Sequence, residues 1–150
     1  MMEIKEKIRI TKGFHFEAAH ALDGYNGKCK DIHGHSYHLE VTVIGYPEVD
    51  TRQPNCGMVM DFKDLKKVIN DSVLNLFDHH LLLRRDSRFK GIEAQNKRVR
   101  YVNYQPTCEN MLLEIVSILK HQIRDDIKLA QVFLRETKTS YTVWQMEDNK

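Results

Sequence analysis

The chain has 150 residues, of which 41% are hydrophobic, enough for one domain with a buried core over residues 1–150. Lys and Arg number 23 against 21 Asp and Glu, a near balance that gives no general argument for nucleic acid or a membrane surface as partner. The charged start MMEIKEKIRI, and the absence of any apolar run near the roughly 20 residues needed to cross a bilayer, predict a soluble cytosolic protein. Cys29, Cys56 and Cys108 are sparse and odd in number, which disfavours a disulfide framework.

From Lys7 to His20, the residues Phe14, Phe16 and Ala18 alternate and lead to His20, the period of a half-buried strand. The turn-rich stretch Asp23 to Gly27 follows, and Ser36 to Tyr46 returns to alternation through Leu39, Val41 and Val43. The two strands are expected to form a long antiparallel pair joined by a functional loop. Asp61 is placed to cap a helix with Leu65, Val68, Ile69, Val73 and Leu76 on its apolar stripe, ending near Asp78. Arg84 to Tyr104 is polar and basic, and its later part, from Val99, suits an extra strand. Thr107, after Pro106, caps a second predicted helix running to Ile123, and Leu129 to Glu136 and Ser140 to Met146 supply two more strands. The expectation is an α+β fold, an antiparallel sheet of four or five strands with two helices on one face. Its open edges suggest closure by neighbouring subunits.

His33-Gly34-His35 places two imidazoles on one side of a strand. His20 adds a third nitrogen if the strands pair, giving the three-ligand open site typical of catalytic zinc, although imidazole suits other divalent metals and His-x-His also occurs as surface decoration. Cys29, four residues before His33, is either a fourth ligand or a thiol beside the site, and a thiol near a dication is more acidic and able to move protons. Cys56 and Cys108 have no histidine neighbour and read as incidental or buried thiols. Asp78-His79 closes the first helix, where capping is the simple reading and a carboxylate-oriented acid or base the functional one. His15 and His38 have the wrong strand parity for the metal site. Glu136 shares the parity of Val132 and Leu134, so a carboxylate on an apolar face needs either an ion-pair partner or a ligand with paired N–H donors.

Six motifs in this order resemble the 6-pyruvoyltetrahydropterin and 6-carboxytetrahydropterin synthase family: Phe16-Glu17-Ala18-Ala19-His20, Cys29-x-x-x-His33-Gly34-His35, Met60-Asp61-Phe62-x-x-Leu65, Leu76-x-Asp78-His79, Pro106-Thr107-x-Glu109-Asn110 and Glu136-Thr137. The resemblance implies a tunnelling fold whose barrel closes by oligomerisation, commonly as a homohexamer of two trimers. It implies zinc on His20, His33 and His35, and Cys29, Asp78 and His79 as catalytic groups. Glu136 would anchor the pterin, with Thr107 and Glu109 lining its pocket. The substrate implied is 7,8-dihydroneopterin triphosphate. The three-residue gap between Cys29 and His33 is similar to that of bacterial 6-carboxytetrahydropterin synthases of queuosine synthesis, which release acetaldehyde and triphosphate, whereas animal pyruvoyl enzymes have a longer gap. The 6-pyruvoyl product is the nearest rival, and a non-catalytic zinc or pterin binder and a metal-dependent hydrolase are further alternatives. For a hydrolase, Glu17 has the wrong parity to serve as base. The basic segment is longer than in the shortest bacterial members. It reads simply as a solvated loop, or, functionally, as a source of cations such as Arg84, Arg85, Arg88, Lys97, Arg98 and Arg100 that reach a neighbouring subunit's pocket and attract the triphosphate.

Overall fold

The computed structural model describes residues 5–150. β1 (Ile8–His20) and β2 (His33–Gly45) form the expected antiparallel hairpin, in register from Ile8 opposite Gly45 to His20 opposite His33. Alternation divides it into two faces: Phe14, Phe16, Ala18 and His20 are buried, whereas His15 and Glu17 between them are exposed. Tyr37, Leu39, Val41 and Val43 continue the buried face on β2.

The Asp61 carboxylate accepts the Lys63 N–H at 2.8 Å and so caps α1 (Phe62–Ile69). α1 runs through a π-helical stretch, Asn70–Leu74, into the short α2 (Asn75–Phe77), and the three make one helical run. Its buried stripe is Leu65, Ile69, Val73 and Phe77. A repeat of four drifts around a helix of 3.6 residues per turn, and the wider π turn takes up that drift. The second run, α3 (Cys108–Gln122), begins at Thr107, whose hydroxyl oxygen accepts the Asn110 N–H at 3.2 Å.

Four more strands complete one sheet, β3 (His80–Arg84), β4 (Val99–Val102), β5 (Lys128–Thr137) and β6 (Ser140–Gln145), in the order β4-β3-β1-β2-β5-β6. Among the described residues the sheet has six strands and is mixed, not four or five antiparallel ones: β3 runs parallel to β1, and β4 parallel to β3. Leu81-Leu82-Leu83 hides β3 from periodicity because both of its faces are covered. Leu82 joins the main core, while Leu81 and Leu83 join a second cluster with Ala21, Phe89 and Ile92. Parallel neighbours need a crossover, and residues 85–98 supply it.

One main core joins Phe16, Leu39 and Leu134 of the sheet to Ile69, Met111 and Ile115, so both helical runs cover the same face. On the opposite face Tyr141 and Val143 are exposed, and β4 and β6 are the sheet's edges. The β5–β6 register jumps between Arg135 and Thr137, a bulge that leaves Glu136 without a partner in β6.

Candidate active site

Pairing of His20 with His33 at the hairpin's open end brings His20, His33 and His35 together, with one ligand nitrogen from each lying within 4.8 Å of the others. Main-chain carbonyls orient two of the rings. His20 Nδ1 lies 2.6 Å from Pro106 O, and His33 Nδ1 lies 2.7 Å from Asp31 O. A carbonyl only accepts, so both Nδ1 atoms carry the proton, and in the neutral rings both Nε2 atoms present lone pairs. Those two Nε2 atoms are 2.9 Å apart. Two bare lone pairs at that distance repel, and a cation between them turns the repulsion into ligation. Burial lowers the pKa of His20, against the opposing pull of the Pro106 carbonyl, and also lowers that of His35, against the Glu136 charge. The neutral imidazole so favoured is the form that binds metal. The donor set and its supports therefore fit a metal ion.

Glu136 stands beside this cluster, with Oε1 3.6 Å from His20 Nε2 and 3.8 Å from His35 Nε2. The buried Tyr37 hydroxyl, its pKa pushed up by burial, stays protonated and donates to the same oxygen at 3.4 Å. Glu136 and Glu109 line a hollow of about 230 Å³ with Cys108 and Thr142. Thr107 caps the helix that carries Glu109 and does not line this hollow; the buried Cys108 does, its thiol pushed up to about 11 by burial.

Asp78 and His79 form a separate arm. His79, with φ of 58°, is the one non-glycine residue in the left-handed region among the described residues, a conformation that costs roughly 1–2 kcal/mol. Its N–H donates to Glu17 O at 2.6 Å, and the Glu17 N–H donates to Asp78 Oδ1 at 3.0 Å. The His79 Nε2 lies 3.7 Å from the same Asp78 oxygen. His79 lines a hollow of about 360 Å³ with Glu17, Ser36 and His35. The histidine cluster thus stands between two hollows, one holding Glu136 and Glu109, the other His79.

Cys29 is half-buried on a short 3-10 turn, Lys28–Lys30, and its sulfur is not among the three converging atoms. His15 and His38 lie on the far face of the hairpin with ring centroids 4.7 Å apart, and Glu17 on that face accepts from the Ser36 hydroxyl at 2.7 Å. The arginines among the cations expected to face phosphates are held within the chain. Arg84 pairs with Asp86, Arg100 with Glu114 and Arg88 with Asp31, and Arg85 donates to the Asn103 side chain. Arg98 donates to the carbonyls of Asp78 and His79. Tyr37 and the carbonyls of Asp31 and Pro106 escape a sequence reading: Tyr37 passes as a core aromatic, and every residue has a carbonyl.

The 6-pyruvoyl tetrahydropterin synthase family matches residues 9–147. A 6-carboxy-5,6,7,8-tetrahydropterin synthase of Haemophilus influenzae is 32% identical, the match covering 92% of this chain and 99% of the relative. The enzyme of the same name from Rickettsia felis is 31% identical, over 84% of this chain and 87% of the relative. Among solved structures, the 6-pyruvoyl tetrahydropterin synthase of Caenorhabditis elegans superposes with a TM-score of 0.70 at 24% identity, covering 96% of this chain and 99% of that one. That likeness speaks for the fold. The extent of the family match and of these relatives identifies the chain as an enzyme of lyase type, a member of the 6-pyruvoyl tetrahydropterin synthase family.

Proposed function

We propose that this chain is a zinc-dependent, cytoplasmic lyase that converts 7,8-dihydroneopterin triphosphate to 6-carboxy-5,6,7,8-tetrahydropterin, with release of acetaldehyde and triphosphate, in the synthesis of queuosine or another 7-deazapurine. The observation that carries this reading is the convergence of His20, His33 and His35 beside the Glu136 carboxylate. The choice of product is supported by the names of the H. influenzae and R. felis relatives and by the Cys29 to His33 spacing.

Each residue then has one task. Glu136 accepts paired N–H donors of the pterin ring, with Tyr37 holding its carboxylate from behind. Glu109 lines the same hollow, and Thr107 positions it by capping their shared helix. Cys29, as thiolate, removes a proton from the carbon side chain of the substrate, and His79, oriented by Asp78, moves the proton on the opposite side. Bound zinc supplies Lewis-acid polarisation of the side-chain oxygens. A single domain spans residues 1–150, and two trimers make a homohexamer in which the open edges of β4 and β6 pair and close a barrel.

Incubation of the zinc-loaded protein with 7,8-dihydroneopterin triphosphate tests the reading. Acetaldehyde and triphosphate are expected in equal amounts with the 6-carboxy product. A 6-pyruvoyl product without acetaldehyde would transfer the chain to the rival activity, and tight pterin binding without any product would make it a non-catalytic relative.

A further inference from the structure

A crossover from β3 to β4 needs only to cover the distance between their ends, yet residues 85–98 have a small core of their own. Phe89 and Ile92 pack with Ala21, Leu81 and Leu83, and Ser87 is buried. From this anchored loop two arginines reach back to different parts of the candidate active site. Arg98 donates from Nε to the His79 carbonyl at 2.9 Å and from Nη2 to the Asp78 carbonyl at 3.0 Å. Arg88 donates from Nη2 to Asp31 Oδ1 at 2.7 Å and to the Lys30 carbonyl at 3.0 Å, and its own N–H donates to Asp23 Oδ1 at 3.0 Å. Lys30 directly follows Cys29, and the Asp31 carbonyl is the one that orients His33.

We propose that the 85–98 crossover is an internal brace for catalysis, in which Arg98 fixes the Asp78–His79 turn and Arg88 fixes the loop that carries Cys29. Both act as positioning residues, and the proposal rests on the reading of His79 and Cys29 as catalytic. The turn needs such a brace because His79 is held in the left-handed region, which a residue with a Cβ leaves unless its neighbours constrain it. The Glu17 carbonyl holds the His79 N–H, and His80 Nδ1 lies 2.9 Å from the Asp78 carbonyl. Arg98 alone spans both carbonyls of the turn. A planar guanidinium can meet two acceptors at once, which the single ammonium of lysine does not reproduce. Its place at the C-terminal end of the helical run also suits a cation.

The test compares R98A, R98K, R88A, H79A and the R98A/H79A pair in zinc-loaded protein acting on dihydroneopterin triphosphate, with metal content measured in each. R98A and R88A are expected to lower kcat about ten- to a hundredfold at unchanged metal content. KM should stay within about twofold, since binding is not what they support. R98K should recover little, and R98A added to H79A should cost nothing more, because both act through one imidazole. In metal-free protein, NMR should show a more mobile His79 ring in R98A. Full kcat in R98A beside an active parent, a loss that adds fully to H79A, or a salt-dependent rise in KM at constant kcat would each overturn the brace, the last in favour of phosphate steering. If the parent protein does not turn over the substrate, the functional reading fails by itself. An unchanged His79 ring in R98A would then remove the brace as well.

Discussion

The histidine cluster and the Asp78–His79 turn meet the same end of β1, where His20 is the last residue and the Glu17 backbone bonds to the turn. They differ in what supports them. Two rings of the cluster rest on main-chain carbonyls, the buried one of Pro106 and the exposed one of Asp31, which almost any residue at those positions would supply. The exposed turn has, besides its bonds to the Glu17 backbone, a side-chain support, Arg98, brought from another loop. Substitutions around the cluster should therefore be tolerated so long as the backbone keeps its course, while exchange of the three proposed ligands should not. At the turn, exchange of Arg98 should act on His79, a residue it follows by nineteen positions.

Three exchanges sharpen this contrast, from the largest effect downward. His33→Ala should abolish both metal binding and turnover, a loss beyond the roughly hundredfold typical of a missing supporting contact. Metal analysis of the purified variant checks it, and stoichiometric metal would disprove the ligand assignment. Cys29→Ala should keep the metal and lose about 10²–10⁴ in turnover, the usual weight of a proton-transfer group. Metal lost along with turnover would instead make Cys29 a ligand. Glu136→Gln keeps the shape and replaces one acceptor by a donor, at a cost of about 1.5–3 kcal/mol in pterin affinity. Calorimetric titration with neopterin measures it, and unchanged affinity would remove Glu136 from the pterin site.

The parts of this site that follow local rules were legible in the residues. Period-two alternation revealed the hairpin and the shared side of His33 and His35, and Asp61 and Thr107 marked helix starts that the structure keeps. What depends on distant pairing was not. The parallel course of β3 depends on a crossover, and its three leucines have no alternation to read because each side meets a different core. The parity of β5 placed Glu136 on the inner face, but the bulge beside it is a register shift between strands that no pattern within β5 shows. The partners of the arginines in residues 84–104 are not legible in composition, which counts charge alone; they come from both near and far, Asp86 for Arg84 but Asp31 for Arg88.

The smallest effect expected is on stability, and it belongs to the cluster side of the comparison. Burial holds the pKa values of His20 and His35 below that of a free imidazole, which titrates near about 6.5. As the pH falls below that value, the unfolded chain takes up protons that the folded cluster still refuses. The unfolded state then binds more protons, so these two residues make the metal-free protein progressively less stable on acidification, down through their lower folded values. Above about pH 7.5 both states hold neutral imidazoles and the contribution is constant. Thermal unfolding of metal-free protein over a pH series measures the slope, and His35→Gln, which removes one of the two groups, should make it shallower. Metal should steepen the dependence, because protons and metal compete for the same nitrogens. A slope that is unaltered in His35→Gln would mean that the acid sensitivity arises elsewhere and that the cluster is not held neutral by its burial.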